Sequence, residues 1–185
     1  MTVDAGALTR ELTDYLRQYP EELGPLMPLY DALRDHARRE RCPHGGRCPE
    51  VRAGALLVDE RGRALLLRHS GGWAFPEGVP EPGDGSLRGT AYGLLREFGG
   101  VREAWAVPGA EGPVLVDVGV APGGGAGGAP RIRVGFRYLF AARADAVPRV
   151  VLRTGLARWA DMGEVDERIA RRVRPYAGVV GVESS

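Results

Sequence analysis

Between residues 53 and 101 the chain passes from short apolar runs, through a loop dense in Gly and Pro, to one amphipathic stretch, and that order limits the folds open to it. Ala53-Gly-Ala-Leu-Leu-Val58 and Ala64-Leu-Leu-Leu-Arg68 flank Asp59-Glu-Arg-Gly62-Arg63, the pattern of a β-hairpin. Trp73-Ala-Phe75 adds a short strand. Ser86 to Phe98 reads as a helix with Ser86 as its N-cap. Gly93 in mid-helix costs about 1 kcal/mol relative to Ala, which points to a bend or to close packing there.

Ahead of this unit, residues 4–19 carry Leu8, Leu12, Tyr15, Leu16 and Tyr19 on one helical face, and Pro20 ends the pattern. A second helix is expected from about residue 25, set by Pro25 and Pro28, with Leu26, Leu29, Tyr30, Leu33 and Ala37 on one side. Residues 38–50 read as a polar loop. After the central helix, strands are expected at Val101–Val107, Val114–Val120 and Arg131–Ala141, with weaker ones at Val150–Leu152 and Ala157–Trp159. Residues 121–130 are low-complexity Gly, Ala and Pro, and Gly163–Val173 reads as a closing helix. Strands mixed with few helices predict an α+β layered fold.

The stretch Trp73-Ala-Phe-Pro-Glu-Gly78, then Glu81, Asp84, Ser86, Glu97 and Gly99-Gly-Val101, resembles the Nudix box, G-x5-E-x7-R-E-U-x-E-E-x-G-U with U bulky and apolar. The resemblance spans residues 51–174 and is strongest over 53–101. It implies a Nudix-like α/β/α sandwich with a mixed sheet, here preceded by an N-terminal helical pair. The domains expected are a helical extension with a Cys/His loop over 1–50 and a Nudix-like domain over 51–185. In that family the box is a loop followed by a helix whose glutamates hold Mg²⁺ or Mn²⁺ against a diphosphate.

Most of that chemistry is absent from this chain. Strict spacing from Gly78 puts Asp84 on the first acidic position. A one-residue insertion instead sets Gly100-Val101 on the closing pair. In either register only Glu97 remains of the three helix glutamates, the arginine is gone, and Glu77 replaces the first Gly of the usual Pro-Gly-Gly. The resemblance therefore implies Glu97 as the catalytic residue and main metal ligand, helped by Glu81 and Asp84. The alternative is that these are solvated acids. Magnesium takes about six oxygens, so one helix carboxylate is a poor anchor. Trp73, Arg68 and Arg137 are the substrate-binding candidates, with Arg133 beside them and His69 at the end of the second hairpin strand; the alternatives are solvent-facing strand arginines, a core tryptophan and a solvated histidine.

The chain has no Lys and no Asn, so charged phosphate contacts fall mainly to Arg. A net charge of +1 over 185 residues gives no bias toward nucleic acid, and nucleic acid is not an expected partner. No apolar run is long enough for a membrane span, and no secretory signal precedes residue 10, so a cytoplasmic protein is expected. Four of the five Cys and His residues cluster as His36-x5-Cys42-x-His44-x3-Cys48. That set suits zinc, though its spacing is irregular; two reduced thiols or a Cys42–Cys48 disulfide are the alternatives.

Three functions fit these observations. One is a Nudix fold that has left standard diphosphate hydrolysis for binding of, or other chemistry on, a nucleotide-like small molecule, as in specialised metabolism. It predicts a ligand cleft between the sheet and the box helix, and a cleft packed with side chains would remove it. The second is an active pyrophosphohydrolase using Glu97 with the loop acids. The third is a zinc-stabilised interaction module. The resemblance also makes a homodimer an expectation.

Overall fold

The apolar stripe at Leu8, Leu12, Tyr15 and Leu16 is buried along helix α1 (Ala5–Gln18). The computed structural model describes residues 5–39, 49–81, 83–121 and 131–180. Helix α2 (Leu23–Arg39) starts ahead of Pro25, and Pro28 lies inside it. Pro25 sits in the first turn, where backbone N–H groups have no helical partner. Pro28 costs one backbone hydrogen bond. Leu26, Leu29 and Leu33 make up for it by burying against α1.

The expected hairpin is β1 (Glu50–Asp59) and β2 (Ala64–His69). Asp59 closes it. Its buried carboxylate accepts from the N–H groups of Arg61 and Arg63 and pairs with the Arg63 guanidinium at 2.6 Å. β3 (Gly72–Ala74) and β8 (Ala157–Ala160) pair with β2, and β4 (Glu77–Gly78) pairs with β1. β7 (Arg131–Ala142) runs parallel to β1 from Glu50 opposite Arg133 to Asp59 opposite Ala142. β5 (Trp105–Ala106) and β6 (Leu115–Ala121) complete the sheet against β7, antiparallel to it. Among the described residues the sheet is eight-stranded and mixed, with the central order β3-β2-β1-β7-β5. This is the α+β arrangement expected, a mixed sheet with helices packed on both faces and the helical pair ahead of it.

Side chains alternate across the strands, so the two faces carry different residues. Ala53, Ala55 and Leu57 of β1 and Phe136, Tyr138 and Phe140 of β7 share one buried cluster with α1, α2 and helix α3 (Leu87–Gly99). On that side the Tyr138 hydroxyl donates to the Glu11 carboxylate, tying α1 to the central strand. Burial raises the Glu11 pKa above its ordinary 4.5, against the lowering effect of that hydrogen bond. On the opposite face Leu56, Val58, Leu139 and Ala141 form a second cluster. It is covered by Val107, Ala110 and Val114 and by Val173 of helix α5 (Glu167–Val173).

Three elements differ from the sequence expectation, the first being the strand expected over Val101–Val107, which is confined to Trp105–Ala106. Val150–Leu152 is not a strand but part of helix α4 (Arg149–Arg153). Pro148 starts it by accepting from the Val151 N–H at 2.9 Å, and Gly155 at φ 69° turns the chain into β8. This early turn overrides the β preference of two adjacent valines. The closing helix is also shorter than read. Met162–Glu164 is a single 3-10 turn, and α5 starts afresh with Asp166 as N-cap, its side chain accepting from the Arg168 N–H. A short helix α6 (Ala177–Val180) follows.

The close packing expected at Gly93 is absent. A Cβ at Gly93 would meet nothing within 4 Å, so neither close packing nor a contact requires glycine. Gly93→Ala should therefore stabilise the protein by about 1 kcal/mol, through helix propensity and a less flexible unfolded chain. A urea midpoint lower than wild type would contradict this.

Candidate functional site

The face of the sheet that carries the second core is apolar over only half its length. Glu50, Arg52 and Gly54 of β1 lie opposite Arg133, Gly135 and Arg137 of β7, and here the face is charged. β4 adds Glu77, opposite Gly54, and β6 adds Asp117, opposite Gly135. Arg137 is the centre. Its Nε donates to Asp117 Oδ2 at 3.0 Å, and its terminal nitrogen donates to Glu77 Oε2 at 2.9 Å. Arg133 lies 3.6 Å and Arg52 3.9 Å from Glu77 Oε1, and Arg52 also pairs with Glu50 at 2.6 Å.

Two glycines let this cluster lie flat on the strands. A Cβ at Gly135 would come 2.5 Å from Asp117 Oδ1, and Arg137 holds that carboxylate in place through Oδ2. A Cβ at Gly54 would press on the Arg137 Cγ at 3.4 Å. Glycine inside a strand usually marks a close approach of another group, and here the group is a side chain from the neighbouring strand.

The same face continues to β2 and β3, where Trp73 stands opposite Arg68. The Arg68 guanidinium lies 5.4 Å and that of Arg158 5.2 Å from the Trp73 ring centre, two cations against one aromatic ring. Arg158 is held by Glu164 at 2.7 Å. The substrate-binding candidates Arg68, Trp73 and Arg137 thus share one face, joined along the chain by the alternation Trp73, Phe75, Glu77. His69 is exposed, with its Nδ1 beside the Ser70 hydroxyl at 3.3 Å.

The box acids are arranged differently. Asp84 braces the loop into α3: its carboxylate accepts from the Glu81 N–H at 2.8 Å and from the Thr90 hydroxyl at 2.7 Å. The first of these, then the second, lowers its pKa below the ordinary 3.8. Ser86 is the N-cap, as read, and accepts from the Gly89 N–H at 3.0 Å. Gly100, at φ 60°, ends the helix where one register of the box places its closing glycine. Glu97 is exposed near that end. At 1.5 Å per residue, roughly 16 Å of helix separates Ser86 from Glu97. Glu81, Asp84 and Glu97 are therefore not brought together. Among the described residues no group of three His, Cys, Asp or Glu side chains is placed to hold a metal. These three acids do not fit one magnesium ion. Of the cysteine and histidine cluster, His36 lies in α2, and Cys42, His44 and Cys48 fall outside the described residues.

The space between α3 and the sheet is closed, contrary to the cleft expected there. Leu87, Ala91 and Leu95 bury against Ala53, Ala55, Leu65 and Leu67. A Cβ at Gly78 would lie 2.9 Å from Leu94 Cδ2, so glycine lets the helix seat this closely. Apolar residues on both surfaces interdigitate and leave no room for a ligand.

Sequence reasoning missed Glu77 as a partner of the arginines, and Asp117, Arg52, Glu50 and Gly135 altogether. One signal was present. Arg133, Gly135 and Arg137 keep a strict alternation in a strand whose other face is Val134, Phe136 and Tyr138. Among the described residues no helix is long and apolar enough to cross a membrane.

No family model matches the chain, and no curated protein matches it in sequence. Among solved structures it is similar to Shewanella oneidensis NrtR complexed with a 27mer DNA, at 17% identity and TM-score 0.46, over 68% of this chain and 60% of that one. It is also similar to C. elegans Ap4A hydrolase, at 14% identity and TM-score 0.46, over 71% of this chain and 98% of that one. A third likeness is to the MutT protein from Methanosarcina mazei Go1, at 17% identity and TM-score 0.43, over 69% and 93% of the two chains. These neighbours are Nudix proteins, and the chain spans about three fifths of the length of the NrtR chain it matches.

Proposed function

We propose that this protein has a Nudix-like fold in which standard diphosphate hydrolysis is weakened or replaced, and that the charged face of its sheet binds a small anionic, nucleotide-like molecule. The observation that carries this reading is the placement of Arg52, Arg133, Arg137 and Trp73 on one face of the sheet. Guanidinium groups suit phosphate or carboxylate oxygens, and an indole suits a flat ring. Arg52 and Arg133 keep about a third of their side chains open to solvent. The packed space between the box helix and the sheet removes this reading in its cleft form; the proposal puts the ligand instead on the opposite, charged face of the sheet. Glu97 is the residue through which any surviving hydrolysis would run, and the separation of Glu81 and Asp84 from it favours weak turnover.

The test scores nucleoside di- and triphosphates for phosphate release with Mg²⁺ or Mn²⁺, and cyclic nucleoside monophosphates, which are singly charged phosphodiesters, for binding by calorimetry. Turnover should stay near background in wild type and in Glu97→Gln. Binding should weaken at least tenfold in Arg133→Ala, about 1.4 kcal/mol. Turnover that vanishes in Glu97→Gln, with binding indifferent to Arg133, would replace this reading by an active pyrophosphohydrolase.

A further inference from the structure

The geometry points to Glu77 as a tethered counter-anion that occupies the arginine site and sets which anions the site accepts. The inference rests on the ligand reading of this face. The two oxygens of Glu77 are shared among three guanidiniums from two strands: Oε2 sits 2.9 Å from Arg137, and Oε1 sits 3.6 Å from Arg133 and 3.9 Å from Arg52. Its side chain is only 12% exposed, whereas those of Arg52 and Arg133 are 32% and 39% exposed. The carboxylate thus lies at the floor of the cluster and the cations at its mouth.

The three arginines do not depend on Glu77 equally. Arg137 is held by Asp117 through both Nε and a terminal nitrogen, and Arg52 is held by Glu50. Arg133 meets Glu77 only at long range, too far for a hydrogen bond. Its N–H groups are therefore the ones an incoming oxygen reaches at least cost. With Glu50, Glu77 and Asp117 facing Arg52, Arg133 and Arg137, the cluster is neutral as a whole. A singly charged anion can bridge Arg133 and Arg52 above Glu77. An anion carrying two or more charges meets the Glu77 carboxylate at a few ångströms, where like charges repel strongly in a half-buried setting. The site therefore takes a singly charged phosphodiester-like or carboxylate group and discriminates against pyrophosphate. Glu77 stands where the box frame carries glycine, and glycine would leave the arginines in excess.

The experiment titrates wild type, Glu77→Gln, Glu77→Ala and Glu77→Gln combined with Arg133→Ala with inorganic pyrophosphate and with dimethyl phosphate. It is done by calorimetry at low ionic strength with metal chelated, after circular dichroism establishes folding. Glu77→Gln and Glu77→Ala should bind pyrophosphate at least tenfold tighter than wild type, and adding Arg133→Ala should remove the gain. A purely structural ion pair predicts the reverse, because its loss loosens the cluster. Wild type alone gives a second readout: dimethyl phosphate should bind at least as tightly as pyrophosphate. A tenfold preference of wild type for pyrophosphate overturns the assignment even if the variants fail to fold. An unchanged pyrophosphate affinity in the folded Glu77 variants, with binding still lost on removing Arg133, overturns the role of Glu77 and leaves the arginine site standing. No binding of either anion to any of the proteins overturns both.

Discussion

Arg172→Ala should lower the stability of the folded protein by about 3 kcal/mol, measured by urea denaturation at pH 7. Arg172 is 8% exposed and joins the helical pair to the C-terminal helix. Its guanidinium lies 3.6 Å from the Tyr19 ring centre, donates to Glu21 at 3.1 Å and pairs closely with Glu22. Glu22 is itself buried and also accepts from the Tyr15 hydroxyl at 2.6 Å and from Arg168 at 2.9 Å. Removing Arg172 leaves this carboxylate with weaker compensation, which is why truncating one partner of a buried pair costs more than the pair contributes. Arg168 remains, so the loss falls at the low end of the usual range.

The pH dependence of that loss has a definite sign. Burial raises the Glu22 pKa, but the hydrogen bonds from Tyr15, Arg172 and Arg168 outweigh it, and the net shift is below the ordinary 4.5. A carboxylate with a depressed folded pKa contributes stability that is present above its unfolded pKa and is lost as pH falls through the folded value. The difference between wild type and Arg172→Ala should therefore be full at pH 7 and shrink as pH falls below the ordinary 4.5 and through the lowered folded value. A difference under 1 kcal/mol at pH 7, or one that grows in acid, would show that the network does not clamp the two ends of the chain.

Gly89→Ala should destabilise the protein by about 2 kcal/mol, opposite in sign to the same change at Gly93. Both glycines lie in α3, and propensity by itself favours Ala at each by about 1 kcal/mol. At Gly89, however, a Cβ would lie 2.4 Å from the Asp84 carbonyl oxygen. That oxygen is backbone, and it already accepts from the Ser86 N–H at 2.8 Å, so it cannot swing away. The loop would have to open, and Asp84 would lose its hold on Glu81 and Thr90. Thermal melts of the two variants side by side test this. Equal and positive shifts would mean that the loop has slack the geometry denies.

Much of the frame was legible in the chain. The stripe Leu8, Leu12, Tyr15 and Leu16 has one helical period and one outcome. The hairpin around Gly62 and the cap at Ser86 rest on backbone chemistry that acts within a few residues. Val150–Leu152 misled because two valines favour a strand, while Pro148 and Gly155 allow only a short turn of helix between them. Gly93 and Gly89 are alike in sequence and differ only in what stands opposite their missing Cβ.

Sequence by itself determined where most of the helices and strands form, that a box-like loop leads into a capped helix, and that most of the helix glutamates of that box are absent. These are local properties, set by side-chain period, capping and residue identity. Only the tertiary structure decided that the helix seats on the sheet with no cleft beneath it. It also decided that Glu77 meets Arg137, 60 positions away in the chain, over the bare backbone of Gly54 and Gly135. The register between β1 and β7 selects those partners, and a one-residue slip of β7 would turn Arg133 and Arg137 into the opposite core.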